Sequence, residues 1–402
     1  MYKKAGKELS YPFITPGSSQ YADVLWDWDS WLSNVALRQI LLENGTEADK
    51  KEAIQYEQGC IMNFLNAGGI DGYIPILLRR SDNEPKPKDI YAVNMHKPCL
   101  AQHAAFLVKL DGGNAEWLRE KFYGLQTFVA NYSNHHRHRA TGLYYWQTDH
   151  AIGVDNDPGT YYRPHGSSAS IYLNSMMYKE LQAMVYLCKQ LNFNEIAPEF
   201  EREAAALKEA IQKHSWDPKD GFFYNVDINL LPLKNEKEYQ LHSGNPRDWD
   251  GLIQRIGIWS GILSLWAEIA TPEQARRMVR ENLLDTATFN ATYGIRTLSK
   301  MEKMYSLKAT GNPSSWLGPV WGVSNYLTWR GLVKYGFTQE ARELAAKTIV
   351  LFGKDFQKYG TLHEYYQPEN GEPILNAGFQ NWNYLVLNML AWMEGKTVIS
   401  EF

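Results

Sequence analysis

The sequence predicts an all-α fold in which helical hairpins close into a ring, an (α/α)6 barrel. Three observations carry that prediction. Helical periodicity, with apolar positions three and four apart, runs through most of the 402 residues. The connections between helices alternate between very short and long. Strand signals are few, at 221–224 and 142–146.

On the first helix Val35, Leu37, Ile40, Leu41 and Leu42 follow Trp31, and it stops at Asn44-Gly45, a C-terminal signal. The second covers 47–65 after Thr46, the third 96–110, and the fourth 115–132. The fifth and sixth cover 168–191 and 196–214. The seventh and eighth cover 253–269 and 272–284, the latter opened by Pro272, whose missing N–H costs nothing in a first turn. The ninth, tenth and eleventh cover 319–335, 338–352 and 379–394.

Short connections join antiparallel neighbours. Gly45-Thr46, Asp111-Gly112-Gly113, Asn192-Phe193-Asn194, Thr271 and Gly336-Phe337 follow the odd-numbered helices. The links after the even-numbered helices run to roughly 25–40 residues, lengths that in a compact domain usually carry function. Every long loop therefore emerges at one end, where residues 1–25 also enter. Eleven helices fall one short of six hairpins, so the last outer position is missed or filled otherwise. An open superhelix is disfavoured because no repeat of fixed period is present. No Pro-, Gly- or Ser-rich linker divides the chain, and residues 1–402 read as one catalytic domain.

Composition narrows the function. Lys+Arg number 41 against 45 Asp+Glu, a net charge of −4, which leaves no basic surface for nucleic acid. No apolar run reaches the length of about 18 residues that a spanning helix needs, so no membrane partner is expected. The polar stretch from Met1 to Pro16 has no apolar secretion core, and a cytoplasmic location is expected. Cys60, Cys99 and Cys188 are too few for a disulfide framework and read as buried thiols. The abundant aromatics, 14 Trp and 25 Tyr, suit a ligand with apolar faces and polar edges, such as a sugar. No Gly-rich phosphate loop follows a strand and no Gly-x-Ser-x-Gly occurs, so no cofactor is expected. His135, His136 and His138 lack partner ligands at metal spacing and read as a solvated loop without a metal.

Four clusters lie at the loop end. The first, Tyr21 to Trp31, centres on Trp26-Asp27-Trp28-Asp29, where a carboxylate either caps the helix or accepts hydrogen bonds from a sugar stacked on Trp. The second holds Trp146, Asp149, His150 and Gly153-Val154-Asp155-Asn156-Asp157-Pro158, which alone is an ordinary turn sequence. The third is Trp316-Leu317-Gly318-Pro319-Val320-Trp321, with Asn325 one turn inside. The fourth is His363-Glu364-Tyr365-Tyr366-Gln367, in a loop that enters the last helix through Gln380 and Trp382. A carboxyl among aromatics is dehydrated, which raises its pKa toward the range useful for proton transfer. Two acids in separate loops facing one aromatic mouth meet the requirement for glycosidic hydrolysis.

These motifs, together with Gly69-Ile70-Asp71-Gly72-Tyr73-Ile74-Pro75 and Gln380-Asn381-Trp382, resemble the inverting (α/α)6-barrel enzymes of glycoside hydrolase family 63 and the related family 37 trehalases. Within family 63 the chain looks most like the compact bacterial mannosylglycerate and glucosylglycerate hydrolases. The resemblance covers about Tyr21 to Trp392, and its strength is in the order and spacing of motifs that are each weak alone. It implies Asp155 as general acid and Glu364 as general base. It implies that Trp28 and Asp29 hold the sugar in the cleavage subsite, and that Tyr73, Gln102, Trp321 and Gln380 make further substrate contacts. Tyr21, Trp26, Asn325 and Trp382 complete the expected substrate site. Two positions depart from the family pattern: Leu317 where Arg is frequent, and Asp157 where Ser is common. Both bear on the leaving group.

The expected function is therefore an inverting, exo-acting hydrolase of an α-linked glucoside or mannoside, with a small carbohydrate as its partner. A sugar epimerase on the same barrel would instead draw its acid and base from His96 and His103 on an inner helix. A non-catalytic sugar-binding protein is the third reading.

Overall fold

The computed structural model describes residues 1–80, 92–161, 163–229, 249–308 and 313–402. Eleven α-helices occur among them: α1 (Asp27–Asn44), α2 (Glu47–Ala67), α3 (Leu100–Leu110), α4 (Phe122–His135), α5 (Ile171–Gln190), α6 (Ala197–His214), α7 (Leu263–Trp266), α8 (Pro272–Arg277), α9 (Gly322–Lys334), α10 (Thr338–Tyr359) and α11 (Val386–Met393). Short stretches of 3-10 helix lead into α4, α7 and α11, and a π-turn extends α8 to Leu283.

Local chemistry explains the boundaries. Thr46 and Thr271 each form a capping box, with Asp49 and Gln274 respectively, so α2 and α8 start where their first N–H groups find acceptors. Outer helices carry a single apolar stripe: α6 buries Phe200, Ala204, Leu207 and Ile211, four, three and four residues apart. Inner helices are enclosed all round, and α5 is buried continuously from Ile171 to Leu181.

The odd-numbered helices form a closed inner ring, α1 packing on α3, α3 on α5, α5 on α7, α7 on α9, and the α11 segment on both α9 and α1. The even-numbered helices lie outside. This is the (α/α)6 arrangement the alternating connections predict. No sixth outer helix occurs among the described residues. The chain after α11 instead crosses the closed end of the ring and touches every inner helix. Ile399 N–H donates to Gln39 of α1, and Asn388 of α11 donates to Ile399 O. Glu401 accepts from Trp266 of α7 and from Tyr326 and Arg330 of α9. Phe402 packs on Tyr186 of α5 and under Lys109 of α3.

Two sequence expectations change. Residues 253–258 are not the start of the seventh helix. Leu252–Gln254 pairs with Asn225–Asp227, and Ile258 bridges Leu298. The aromatic run at 142–146 gives only the bridge Tyr144–Arg137, whereas Phe222–Phe223 does form a hairpin with Trp216–Asp217. The three cysteines are free and buried. No described helix is long and apolar enough to cross a membrane.

The inner helices all start at the loop end, so their positive dipole ends converge there and favour carboxylates. That geometry frames the mouth.

Candidate active site

Strand Val24–Trp26 pairs with Leu77–Arg79 and delivers Asp27, Trp28 and Asp29 into the first turn of α1. All three are buried. Asp27 is fully engaged: its oxygens accept from Lys97 Nζ at 2.8 and 3.0 Å and from the backbone N–H groups of Lys97 and Trp28. The first acid of the motif is thus the structural one, and Asp29 is left to the site. Asp29 Oδ1 accepts from Asn381 Nδ2 at 2.6 Å. Burial, and then the charge of Asp27, push its pKa up to about 7.

Trp28 is the centre of an aromatic cup. Its ring lies edge-on to Trp382 at 5.0 Å and Tyr172 at 5.8 Å, and 6.3 Å from Trp316. Trp316, Trp321 and Tyr365 form a stack, with centroid spacings of 4.4 and 4.7 Å. Strand register causes it: Val320–Trp321 pairs with Tyr365–Tyr366, which sets Trp321 opposite Tyr365. Phe379 links Trp382 to Tyr21, and Tyr21 meets Trp26 edge-on.

The loop carrying Asp155 rests on this cup. Gly153 has φ +90°, and a Cβ there would stand 2.8 Å from both Trp28 and Lys97. Only glycine lets the backbone approach so closely. Asn156, also left-handed at φ +63°, donates from Nδ2 to Ser314 O at 2.9 Å. Asp155 between them is half-buried.

Glu364 follows a different path to the same place. It is 4 % exposed. Three neutral donors address it: Asn376 Nδ2 on Oε2, Ser314 Oγ at 3.3 Å on Oε1, and Tyr21 Oη at 3.5 Å from both oxygens. Burial pushes its pKa up to about 7, the donors oppose that rise, and the charge of Asp155 adds to it. Burial, Glu364, Asp29 and Asp155 together raise the Tyr21 hydroxyl well above the ordinary tyrosine range. The three carboxyls and Tyr21 therefore share one electrostatic neighbourhood.

The structure brings together Asp155, Glu364, Tyr21, Trp26, Trp28, Asp29, Trp321 and Trp382. Tyr73 stands half-exposed at the rim, its hydroxyl donating to Ala92 O at 3.3 Å. Three expected contacts fall elsewhere. Gln102 is enclosed between α3 and α5, its amide spent on Pro98 O and Met176 O. Asn325 holds the 290–295 hairpin, accepting from Ile295 N–H and donating to Thr348. Gln380 lines an outer cleft of about 400 Å³ with Phe352, Leu362 and Tyr384. His136 is buried beside Tyr132 and Tyr145, and burial lowers its pKa to about 4, so the histidine loop is only partly solvated. Sequence reasoning did not single out Ser314, Asn376, Tyr172 and Phe379, and named Asn381 only within the motif Gln380-Asn381-Trp382. Only Phe379 and Asn381 carried a signal, as neighbours of Gln380 and Trp382.

The family described as the mannosylglycerate hydrolase MGH1-like glycoside hydrolase domain matches residues 22–383. The chain belongs to that family. It is therefore a glycoside hydrolase domain by descent, related to the trehalases. It is 29% identical over 214 residues to the cytosolic neutral trehalase of Kluyveromyces lactis, a match covering 50% of this chain and 25% of that protein. A probable trehalase of Eremothecium gossypii is 29% identical over 215 residues, with 50% and 26% covered. These matches span about a quarter of the length of the trehalases. Among solved structures, the family 63 mannosylglycerate hydrolase of Thermus thermophilus in complex with glucose superposes with a TM-score of 0.68 at 19% identity, over 96% of both chains. The neutral trehalase of Saccharomyces cerevisiae also gives 0.68, at 18% identity, over 95% of this chain and 74% of that one. At such identities the likeness establishes the barrel.

Proposed function

We propose that residues 1–402 act as a single catalytic domain that hydrolyses an α-linked glucoside or mannoside from its end, with inversion. The observation carrying this reading is the carboxyl pair Asp155 and Glu364, set on separate loops over one aromatic cup and electrostatically coupled. The three donors on Glu364 oppose the rise that burial gives its pKa, and the role of acid falls to Asp155 in this assignment. Asp155 then protonates the leaving oxygen, and Glu364 draws a proton from the attacking water. Trp28 and the Trp316 stack, buried against one another, shape the apolar surround of the two acids, and Asp29 accepts hydrogen bonds from the sugar's hydroxyls.

The epimerase reading loses its acid and base. His96 and His103 are both fully enclosed, His96 against Phe64 and Phe128, His103 on Asn34, and burial lowers their pKa values to about 4 and about 3. Leu317, where an Arg is frequent, is buried in a small apolar cluster with Ile258 and Leu298. The Thermus enzyme binds glucose in one of its structures and D-glycerate in another, which supports a small glucoside, mannoside or glycosylglycerate here. Trehalases named as cytosolic support a cytoplasmic setting.

The test is product release from trehalose, kojibiose, nigerose, mannosylglycerate and glucosylglycerate, with proton NMR of the anomer formed in the first minutes. The expected result is cleavage of at least one α-glycoside to the β-anomer. An α-anomer of the sugar released from mannosylglycerate or glucosylglycerate, or two α-glucoses from trehalose in place of one α and one β, overturns inversion, and binding without turnover across the panel favours a sugar-binding protein.

A further inference from the structure

The base proposed above sits in a nest of neutral donors, and one of them is unusual in its backbone. Asn376 has φ +43°, in the left-handed region that Asn tolerates better than other residues with a side chain. That conformation turns its carboxamide back across the loop onto Glu364, twelve residues earlier. The same Nδ2 lies 3.4 Å from Tyr21 Oη, so one amide spans both the acid and the phenol that faces it. The backbones are held in step independently: Glu364 N–H donates to Leu375 O at 2.9 Å, directly before Asn376. The second oxygen of Glu364 takes Ser314 Oγ, and the carbonyl of Ser314 receives Asn156, next to Asp155. Oε2 is thus pinned from its own loop, and Oε1 from the loop that also anchors the acid.

We infer that Asn376 is a positioning residue for Glu364, holding Oε2 in place and favouring the carboxylate form so that Glu364 can hold and deprotonate the attacking water. This rests on the assignment of Glu364 as base. An amide suits the task because it donates without adding charge. A Lys or Arg would stabilise the carboxylate so strongly that it could no longer take a proton. Among the described residues, the titratable groups facing Glu364 are Asp155 from the loop above Trp28, Asp29 from α1, Tyr21 from the N-terminal segment and Tyr365 beside it. None of these is cationic, so the donors oppose the cost of burial.

The experiment follows kcat/KM against pH with α-D-glucosyl fluoride, and α-D-mannosyl fluoride in parallel. Fluoride leaves with little need of a proton, so the acidic limb reports the base. Asn376→Gly relaxes the left-handed backbone and deletes only the donor. It is expected to move the acidic limb up by about one pH unit, since a hydrogen bond to a charged group carries that much free energy. The loss should fall on kcat, with KM within about twofold, which is the signature of an interaction made in the transition state. Asn376→Asp keeps the shape, places a like charge beside Glu364, and is expected to move the limb further. Asn376→Ser, which retains a donor, should return part of the shift. Carbon-13 NMR titration of Glu364 in the same variants reads the shift without turnover. An unchanged limb and an unchanged Glu364 titration in Asn376→Gly overturn the proposal. So does an equal loss at every pH in all three variants, which marks a merely structural role. Glu364→Gln separates this from the assignment beneath it. If that variant still hydrolyses the fluoride, Glu364 is not the base, whatever Asn376 does.

Discussion

Glu364 at the mouth and Glu401 at the closed end are equally enclosed carboxyls, yet they titrate in opposite directions. Glu401 is met by the Arg330 guanidinium, with Nε 3.0 and 2.9 Å from its two oxygens, by Lys334 nearby, and by Tyr326 and Trp266. Although burial opposes it, Arg330 leads in holding its pKa down to about 2. Among the described residues Glu364 meets three neutral donors and a neighbouring acid, and burial carries it up to about 7. Burial alone therefore does not mark a functional acid. The difference is the partner: a cation fixes a carboxylate permanently, whereas neutral donors hold it within reach of a proton.

The largest expected effect exploits that difference at the mouth. Asp155→Asn should lose about 10²–10⁴-fold in turnover of a natural glycoside, the usual worth of general acid catalysis, and far less with a fluoride leaving group. Glu364→Gln should be inactive on both. Near-normal glycoside turnover by Asp155→Asn, or fluoride rescue of Glu364→Gln alone, reverses or removes the roles.

A second comparison concerns stability. Glu401→Gln strands Arg330 without its counter-charge and should cost about 3–5 kcal/mol in urea unfolding at pH 7. Because the folded pKa of Glu401 lies below the unfolded value, its contribution is present above about pH 4.5 and fades as pH falls toward about 2. Glu364 has the opposite sign. Its folded pKa is raised, so its ionisation costs stability as pH rises from about 4.5 to about 7. Glu364→Gln should therefore stabilise the protein at pH 8, by up to about 3 kcal/mol, and have little effect at pH 4. Equal effects of the two variants, in sign and pH dependence, would dissolve the distinction.

The smallest effect is expected at Gln380. It lines the outer cleft, so Gln380→Ala should change kcat/KM by less than about threefold, as a surface substitution away from the site does. A loss of a hundredfold would show that its amide reaches the cup after all.

Much of this was readable in the chain because it depends on local order. The short links after odd-numbered helices, with signals such as Thr46, Pro272 and Gly336, dictated antiparallel hairpins and one loop-rich end. Trp26 to Asp29 and Glu364-Tyr365-Tyr366 stood out because carboxylates beside aromatics are rare and expensive. Sequence could not say which acid of the first motif is structural. Lys97, seventy residues away, claims Asp27 and leaves Asp29 to the site. Nor could it place Gln102, Asn325 and Gln380, polar residues at motif positions whose amides the fold spends on its own backbone or turns to the outer flank. Trp28, read from the sequence as a platform for a sugar, is only 2 % exposed. Its removal would therefore open a cavity costing about 3–5 kcal/mol as well as a binding surface.

The order of helices, the end at which the loops gather and the residue types able to move a proton there follow from the chain alone, because capping, periodicity and linker length act over a few residues. Which carboxyls meet cations and which meet amides was settled by the closed ring. Asn376 reaches Glu364 through a left-handed turn, Ser314 joins the loops of acid and base, and the tail fills the closed end in place of a twelfth helix. Those are contacts between distant segments, and their energies depend on burial and on the neighbour's charge, neither of which exists until the ring closes.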